Sequence, residues 1–344
     1  MPVAVVILAA GKGSRMKSDV PKVLHHVAQA PLLVHAMQSA QSVDATRIVV
    51  VTGCGGESVG KAAQAYDPNT IIVTQKEQLG TAHALKQAAA ALSDFEGDVI
   101  VLYGDTPFIK EDTLREMLVA RENGARVVVL GFETKEPGRY GRLVMGADGG
   151  LNAIVEAKDA TPEQLAINLC NSGVICANCS TLFTLIDVVG NDNASGEYYL
   201  TDVVGLARST DDACAAIICT EAETMGVNSR ADLAAADAAF QARMRIRALE
   251  NNVTMHAPET VFFSYDTHVG RDAVIEANVV FGPAVTVESG ALIRAFSHLE
   301  GCHVSQDAIV GPYARLRPGA EIGNGARVGN FVEIKAATVG EGAK

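Results

Sequence analysis

The chain has 344 residues, 48% of them hydrophobic, and a formal net charge of −12. That length exceeds what one compact core usually serves and predicts two domains, while the hydrophobic share excludes a disordered chain. The charge is spread over both halves, with 21 basic against 30 acidic residues before Asn252 and 7 against 10 from there on. Neither half offers the basic face that duplex nucleic acid requires, so no nucleic-acid partner is expected.

The first predicted element is the apolar strand Val3–Leu8. The apolar stretch around it, Val3 to Ala10, is too short to span a bilayer, and no basic region precedes it as a signal peptide would require. No membrane partner is expected, and seven cysteines at irregular spacing suit a reducing, cytoplasmic setting. The strand runs into L-A-A-G-K-G-S-R-M at 8–16, with Pro21-Lys22 soon after. A glycine-rich turn at the carboxyl end of a buried strand, surrounded by Lys12, Arg15 and Lys22, is suited to polyphosphate: the small residues admit it and the cations neutralise it. The dinucleotide fingerprint G-x-G-x-x-G does not fit, because Met16 stands at the third glycine. A second glycine-rich loop follows the strand-like run Arg47–Thr52. Gly55 to Lys61 spell G-x-x-x-x-G-K, but Ala62 replaces the Ser or Thr that a Walker A loop uses for magnesium, so this reads as an ordinary strand-to-helix loop.

Further strand-like runs are Thr70–Thr74, Asp98–Leu102, Arg126–Phe132, Asn152–Glu156, Val174–Ala177 and Ala215–Thr220, with helical patterns between several of them, notably Thr81–Leu92 and Asp112–Glu122. The alternation predicts a mostly parallel, doubly wound sheet with a few antiparallel additions. Cys170, Cys176 and Cys179 form C-x5-C-x2-C without a second pair, and read as buried free thiols rather than a zinc site. Ser229 opens a long helix to about Leu249, with Arg residues late where they suit the helix dipole. Beyond Asn252 the texture changes: Val304, Val310, Leu316, Ile322, Val328 and Ile334 fall every six residues, four of them followed by alanine four positions on (Ala308, Ala314, Ala320, Ala326), and Val269, Ile275, Phe281, Val287 and Ile293 precede them. This is the signature of a β-solenoid with three short strands per coil, whose flat faces favour trimers. The expected domains are residues 1–228, a linker helix 229–251, and a solenoid 252–344.

Four segments of the first domain carry polar groups suited to a site. Gln75 to Ala84 follows a strand with amides that can read a base edge and a Gly80-Thr81 helix start. Leu102-Tyr103-Gly104-Asp105 ends another strand with a carboxylate placed for magnesium. Tyr140-Gly141-Arg142, Glu156 and Asn171-Ser172-Gly173 suit hydroxyl and amide recognition of a sugar. Asn228, before the long helix, offers a second oxygen to a metal. Each segment, taken alone, is also readable as a turn or cap.

In this order the segments resemble the bacterial bifunctional N-acetylglucosamine-1-phosphate uridylyltransferase / glucosamine-1-phosphate acetyltransferase family. The resemblance adds Q-L-G-T-A-H-A at 78–84, I-V-E-A-K-D-A at 154–160, G-E-Y-Y-L-T-D at 196–202, G-V-N-S-R at 226–230, R-L-R-P-G-A at 315–320 and V-G-N-F-V-E-I-K at 328–335, and covers the whole chain. It implies a Rossmann-like nucleotidyltransferase domain followed by a left-handed parallel β-helix of hexapeptide repeats. It further implies Mg²⁺-dependent transfer of UMP from UTP to N-acetylglucosamine 1-phosphate, supplying UDP-N-acetylglucosamine for peptidoglycan and lipopolysaccharide. By this resemblance Leu8, Ala9, Ala10, Gly11, Gln75, Gly80 and Thr81 hold the uridine nucleotide, and Arg15 and Lys22 face its phosphates as the catalytic cations. Asp105 and Asn228 bind magnesium, while Tyr103, Gly104, Gly141, Glu156 and Asn171 contact the sugar. Arg317 and Lys335 match sugar-phosphate contacts of the family's second site, which uses acetyl-CoA as co-substrate. The chain stops at Lys344 in mid-solenoid, before the histidine of that second activity, so a truncation without acetyltransferase activity is expected, as is a homotrimer formed through the β-helix. The alternative expectation is another hexose-1-phosphate nucleotidyltransferase with a structural or regulatory β-helix.

Overall fold

A computed structural model describes every residue except Lys12, Cys54 and Asp211, so the loop cation expected at Lys12 lies outside the described residues. The chain divides into two compact units, residues 1–25 with 31–230, and residues 26–30 with 231–344.

The first unit is built on a nine-stranded sheet. Its strands are β1 (Val3–Ala9), β2 (Arg47–Gly53), β3 (Ile71–Gln75), β4 (Asp98–Tyr103), β5 (Val127–Glu133), β6 (Arg142–Met145), β7 (Leu151–Val155), β8 (Leu169–Asn178) and β9 (Cys214–Cys219). The order is β9-β5-β8-β4-β1-β2-β3, with β6 and β7 attached beside β8. β1, β2, β3 and β4 run parallel, whereas β8 is antiparallel to both β4 and β5. The expected mixed, mostly parallel sheet is therefore present. In β1, Ala4, Val6 and Leu8 enter one core cluster and Val3, Val5, Ile7 and Ala9 the other. A strand covered on both faces must be apolar at every position, which is why these runs show no alternation.

The helices covering the sheet are α1 (Leu32–Ser42), α2 (Glu57–Tyr66), α3 (Thr81–Lys86), α4 (Glu111–Glu122), α5 (Pro162–Leu165), α6 (Cys179–Val188) and α7 (Asp202–Arg208). The predicted helix Thr81–Leu92 is shorter than expected: α3 ends at Lys86, and a separate 3-10 turn covers Ala90–Leu92. The strand Arg142–Met145 was missed; it pairs in a hairpin with β7, and Arg142 also pairs with Cys170 of β8. The predicted strand Val174–Ala177 is the end of a longer one, β8, which carries a bulge between Asn171 and Ile175.

The second unit begins with α8 (Arg230–Glu250) and continues into a parallel β-helix. Three parallel sheets form its faces, running from Thr254–Met255 to Arg327–Val328, from His268–Val269 to Thr338–Val339, and from Val280–Phe281 to Glu333–Ile334. The six-residue aliphatics point inward: Ile275, Phe281, Ile293, Val304, Val310, Leu316 and Ile322 are all buried. Two steps are shorter than the sequence period suggests, since Leu299 to Val304 and Ile334 to Val339 span five residues, and the corresponding strands pair across 17 positions instead of 18. The corners turn through residues of positive φ, which fall into three columns. One column is Asp272, Gly290, Asp307, Gly325 and Gly342; another is Ala284, Gly301, Gly319 and Ala336. The third is Asn278, Phe296, Tyr313 and Phe331, in which the three exposed aromatic rings stack with centroids 5.0 and 5.2 Å apart.

Helix α8 is an integral part of this unit and not a bare linker. The buried Gln241 amide donates to Phe263 O at 2.8 Å and accepts from Phe263 N at 2.8 Å, and Arg245 Nε donates to Val261 O at 3.0 Å. The segment 26–30 joins the same unit because Ala28 N donates to Asp237 Oδ1 at 2.7 Å and Ala28 O accepts from Tyr265 N at 3.0 Å. Gln241→Leu would leave the Phe263 N–H and C=O unpaired, each at about 1–3 kcal/mol. The expected outcome is an amide hydrogen-exchange rate at Phe263 raised by about tenfold or more, with the protection of β1 unchanged.

Candidate active site

The carboxyl ends of β1, β3 and β4 open onto one cavity of about 310 Å³. Leu8, Ala9, Ala10 and Gly11 form one wall, Gln75, Gly80 and Thr81 another, and Lys22, Tyr103 and Asp105 close the end. Ten of the expected site residues thus share one space. Two glycines have a steric reason to be there. Gly13 has φ of +60°, and a Cβ on it would stand 2.6 Å from the Lys22 Cβ, so the loop closes directly onto Lys22. Gly80 has φ of +115°, and a Cβ there would meet the Tyr198 carbonyl oxygen at 2.5 Å. Tyr198 N donates to Leu79 O at 2.8 Å and Ala82 N donates to Tyr198 O at 2.9 Å, which fixes the start of α3.

A polar node lies at the Lys22 end. The Lys22 ammonium forms an ion pair with Asp105 Oδ2 and donates to Asn228 Oδ1 at 3.1 Å, and Arg15 donates to the same Asn228 oxygen at 2.8 Å. Asn228 reaches this point because Val227 N donates to Asp105 O at 2.9 Å. Residues more than 200 positions apart therefore meet around two side-chain oxygens that share a cation. A carboxylate and a neutral amide oxygen, with water and phosphate free to complete the set, are the hard donors that suit magnesium. Among the described residues no three His, Cys, Asp or Glu side chains converge on a metal position.

Gly141, Glu156 and Asn171 form a second cluster, joined by Asn171 N donating to Gly141 O at 2.8 Å, with Glu156 Oε1 3.5 Å from where a Gly141 Cβ would be. The β8 bulge brings Gly173 against the Tyr103 ring, which links this cluster to the cavity end. Gly104 lies buried below the cavity, its N–H donating to Leu8 O at 3.0 Å. Burial, followed by the nearby Asp105 and Glu156 carboxylates, pushes the Tyr103 phenol up, so it remains a neutral hydroxyl. Burial also raises the Glu156 carboxyl; the Thr201 hydroxyl opposes this from 3.3 Å, and Asp159 and Asp202 add to it.

The structure separates the other readings from this site. Gly60 and Lys61 lie inside α2, with Gly60 packed against Ile72, an arrangement that cannot cradle phosphate as a loop. Cys170, Cys176 and Cys179 are buried free thiols, each pushed up by burial. Arg317 and Lys335 sit on adjacent coils of the second unit; Arg317 N donates to Ile334 O and its guanidinium to Glu333 Oε1, both at 2.9 Å. Four further residues line the cavity, namely Val23, Gln78, Ala84 and Glu197. Gln78 and Ala84 belong to the Q-L-G-T-A-H-A segment and Glu197 to G-E-Y-Y-L-T-D. Only the fold brings Glu197 to this cavity.

Residues 5–165 match the MobA-like NTP transferase domain family, and residues 301–336 match the bacterial transferase hexapeptide (six repeats) family. One solved structure, a UDP-glucose pyrophosphorylase complexed with UDP-glucose, shares the fold over 71% of this chain and all of its own, with a TM-score of 0.57 and 18% identity. Fold and site together define a nucleotidyltransferase carrying a hexapeptide-repeat β-helix. "Bifunctional protein GlmU" of Jannaschia sp. is 58% identical over all of this chain and 75% of its own length. The same protein of Roseobacter denitrificans is 60% identical over all of this chain and 76% of its length, and that of Ruegeria pomeroyi 63% identical over 98% and 74%. The chain belongs to the GlmU family.

The raised carboxyl of Glu156 has a consequence for stability. Folding favours its neutral form, a contribution that is full below the unfolded value near pH 4 and is lost as pH rises through the folded one. Glu156→Gln never carries the charge. It is expected to raise Tm at pH 7 by about 1–2 °C, with a difference that shrinks to nothing as pH falls toward 4, measured by calorimetry.

Proposed function

We infer that the first unit makes UDP-N-acetylglucosamine by transferring UMP from UTP to N-acetylglucosamine 1-phosphate, with release of pyrophosphate. The observation that carries this reading is the convergence of Lys22, Arg15, Asp105 and Asn228 at one end of a cavity whose walls are glycine-rich backbone and amides. Its product feeds peptidoglycan and lipopolysaccharide precursors.

A phosphate oxygen of the sugar phosphate attacks the α-phosphorus of UTP. One P–O bond forms there, the bond to the β-phosphate breaks, and no net proton moves. The nucleophile is already anionic near neutrality, so the protein needs no base and no covalent intermediate. Its work is alignment and charge neutralisation. The Leu8–Gly11 backbone and Gly80-Thr81 seat the nucleotide, with Gln75 facing the base. Lys22 and Arg15 neutralise the triphosphate as its α-phosphorus bond changes. Tyr103, Gly104, Gly141, Glu156 and Asn171 hold the N-acetylglucosamine, with Glu156 and Asn171 directed to its polar groups. Asp105 and Asn228 would hold magnesium, which supplies charge neutralisation at the phosphates when bound. In the second unit we propose that the β-helix supports a homotrimer, and that Arg317 and Lys335 are contacts for glucosamine 1-phosphate in the acetyl-CoA-dependent activity of the full-length protein.

Pyrophosphate release tests the reaction. Turnover confined to UTP with N-acetylglucosamine 1-phosphate is expected, against glucose 1-phosphate and the other nucleoside triphosphates as controls. Activity on a different pair alone would replace the substrate assignment. Asp105→Ala is expected to lower magnesium-dependent kcat by about 10²- to 10³-fold; near-normal turnover removes the metal role of Asp105. For Arg15→Ala the loss is expected in kcat, about 10²-fold, with KM for UTP changed less than about threefold in steady-state kinetics.

A further inference from the structure

Gln75 ends β3 and is buried, being only 3% exposed. Its Nε2 donates to Gly80 O at 3.1 Å and stands 3.0 Å from Nδ1 of His83. A side-chain amide has two N–H donors, so these two acceptors consume both when Nδ1 is the unprotonated ring nitrogen. Turning the amide over would set its oxygen against the Gly80 carbonyl, an acceptor against an acceptor. Both acceptors are held in place: Gly80 by its close approach to Tyr198, and His83 by its position on α3, where the Gln87 amide donates to His83 O at 3.0 Å and stands farther, 3.4 Å, from the ring Nε2. The remaining atom, Gln75 Oε1, makes no hydrogen bond among the described residues, while Gln75 lines the nucleotide cavity.

We propose that His83 is a positioning residue that fixes Gln75 as a hydrogen-bond acceptor and so selects a uracil base over cytosine. Uracil offers an N–H at ring position 3, which matches a presented oxygen. Cytosine has a lone pair at that position and would face a second acceptor. A site built to accept one hydrogen bond rejects an analogue that cannot donate it, because a buried polar atom is then left unpaired. Without His83, one amide N–H loses its partner and the preference for this orientation weakens. The inference rests on the reading of Gln75 as the base contact.

The test is kcat/KM for UTP and for CTP, with N-acetylglucosamine 1-phosphate saturating, on the full chain. Wild type, His83→Leu, His83→Asn and Gln75→Leu are compared. In His83→Leu the UTP-over-CTP ratio is expected to fall about tenfold or more, mainly through UTP. His83→Asn, whose side-chain oxygen can accept in place of Nδ1, is expected to restore the ratio to within about threefold of wild type. A His83→Leu variant that keeps the ratio, or loses UTP and CTP turnover equally, overturns the role of His83, as does an asparagine variant no better than leucine. If wild type does not discriminate, or if Gln75→Leu discriminates as well as wild type, the reading of Gln75 as the base contact fails instead.

Discussion

The first unit is organised around one positive charge. The Lys22 ammonium is held between Asp105 at the end of β4 and Asn228 in the segment before α8, and Arg15 approaches the same amide oxygen. Two cations this close repel one another, and a largely buried carboxylate needs a counter-charge. Pairing Lys22 with Asp105 meets one need with the other, while the neutral Asn228 oxygen takes up the Arg15 guanidinium. The constraint reaches backward into the sequence. Gly13 must lack a side chain because Lys22 backs onto it, and Val227 must pair with the Asp105 carbonyl so that Asn228 arrives beside the carboxylate.

This arrangement also accounts for the chemistry that the cavity lacks. The ionisable groups around Gly141 and Asn171 are pushed toward their neutral forms: Tyr103 stays a phenol, and Glu156 is raised by burial. Buried Cys176 and Cys214 are likewise held as thiols, Cys214 at about 11. A transfer whose nucleophile arrives already ionised gains little from a base, so polar groups are free to serve recognition. The burial of Glu156 then costs some stability.

Much of this was legible in the sequence, for identifiable reasons. The glycine-rich loop after β1 is contiguous, and glycine and cations at a strand end carry their meaning locally. The β-helix was legible because its core repeats at a fixed spacing. Pairings between distant segments were not legible. Glu197 reaches the cavity only through the fold, and the amide of Gln241 gives no sign in the sequence that it closes α8 onto Phe263. The same holds for segment 26–30, whose neighbours in the chain belong to the other unit.

The solenoid keeps its corners stacked although the spacing shortens from 18 to 17 residues in corners and core alike. The corners of the three columns use the left-handed region, where a residue with a side chain costs roughly 1–2 kcal/mol relative to glycine. Two columns meet that demand largely with glycine or aspartate. The third uses Phe296, Tyr313 and Phe331, residues poorly suited to the conformation, and sets their rings in a continuous stack. Stacked aromatic pairs contribute about 0.5–1.5 kcal/mol each beyond buried area, so two such contacts offset a good part of the strain at three corners. The stack is possible only because these corners recur directly above one another. Each five-residue step comes immediately after an aromatic corner, between Phe296 and Gly301 and between Phe331 and Ala336, so each shortening falls on the next face and leaves the aromatic column in register.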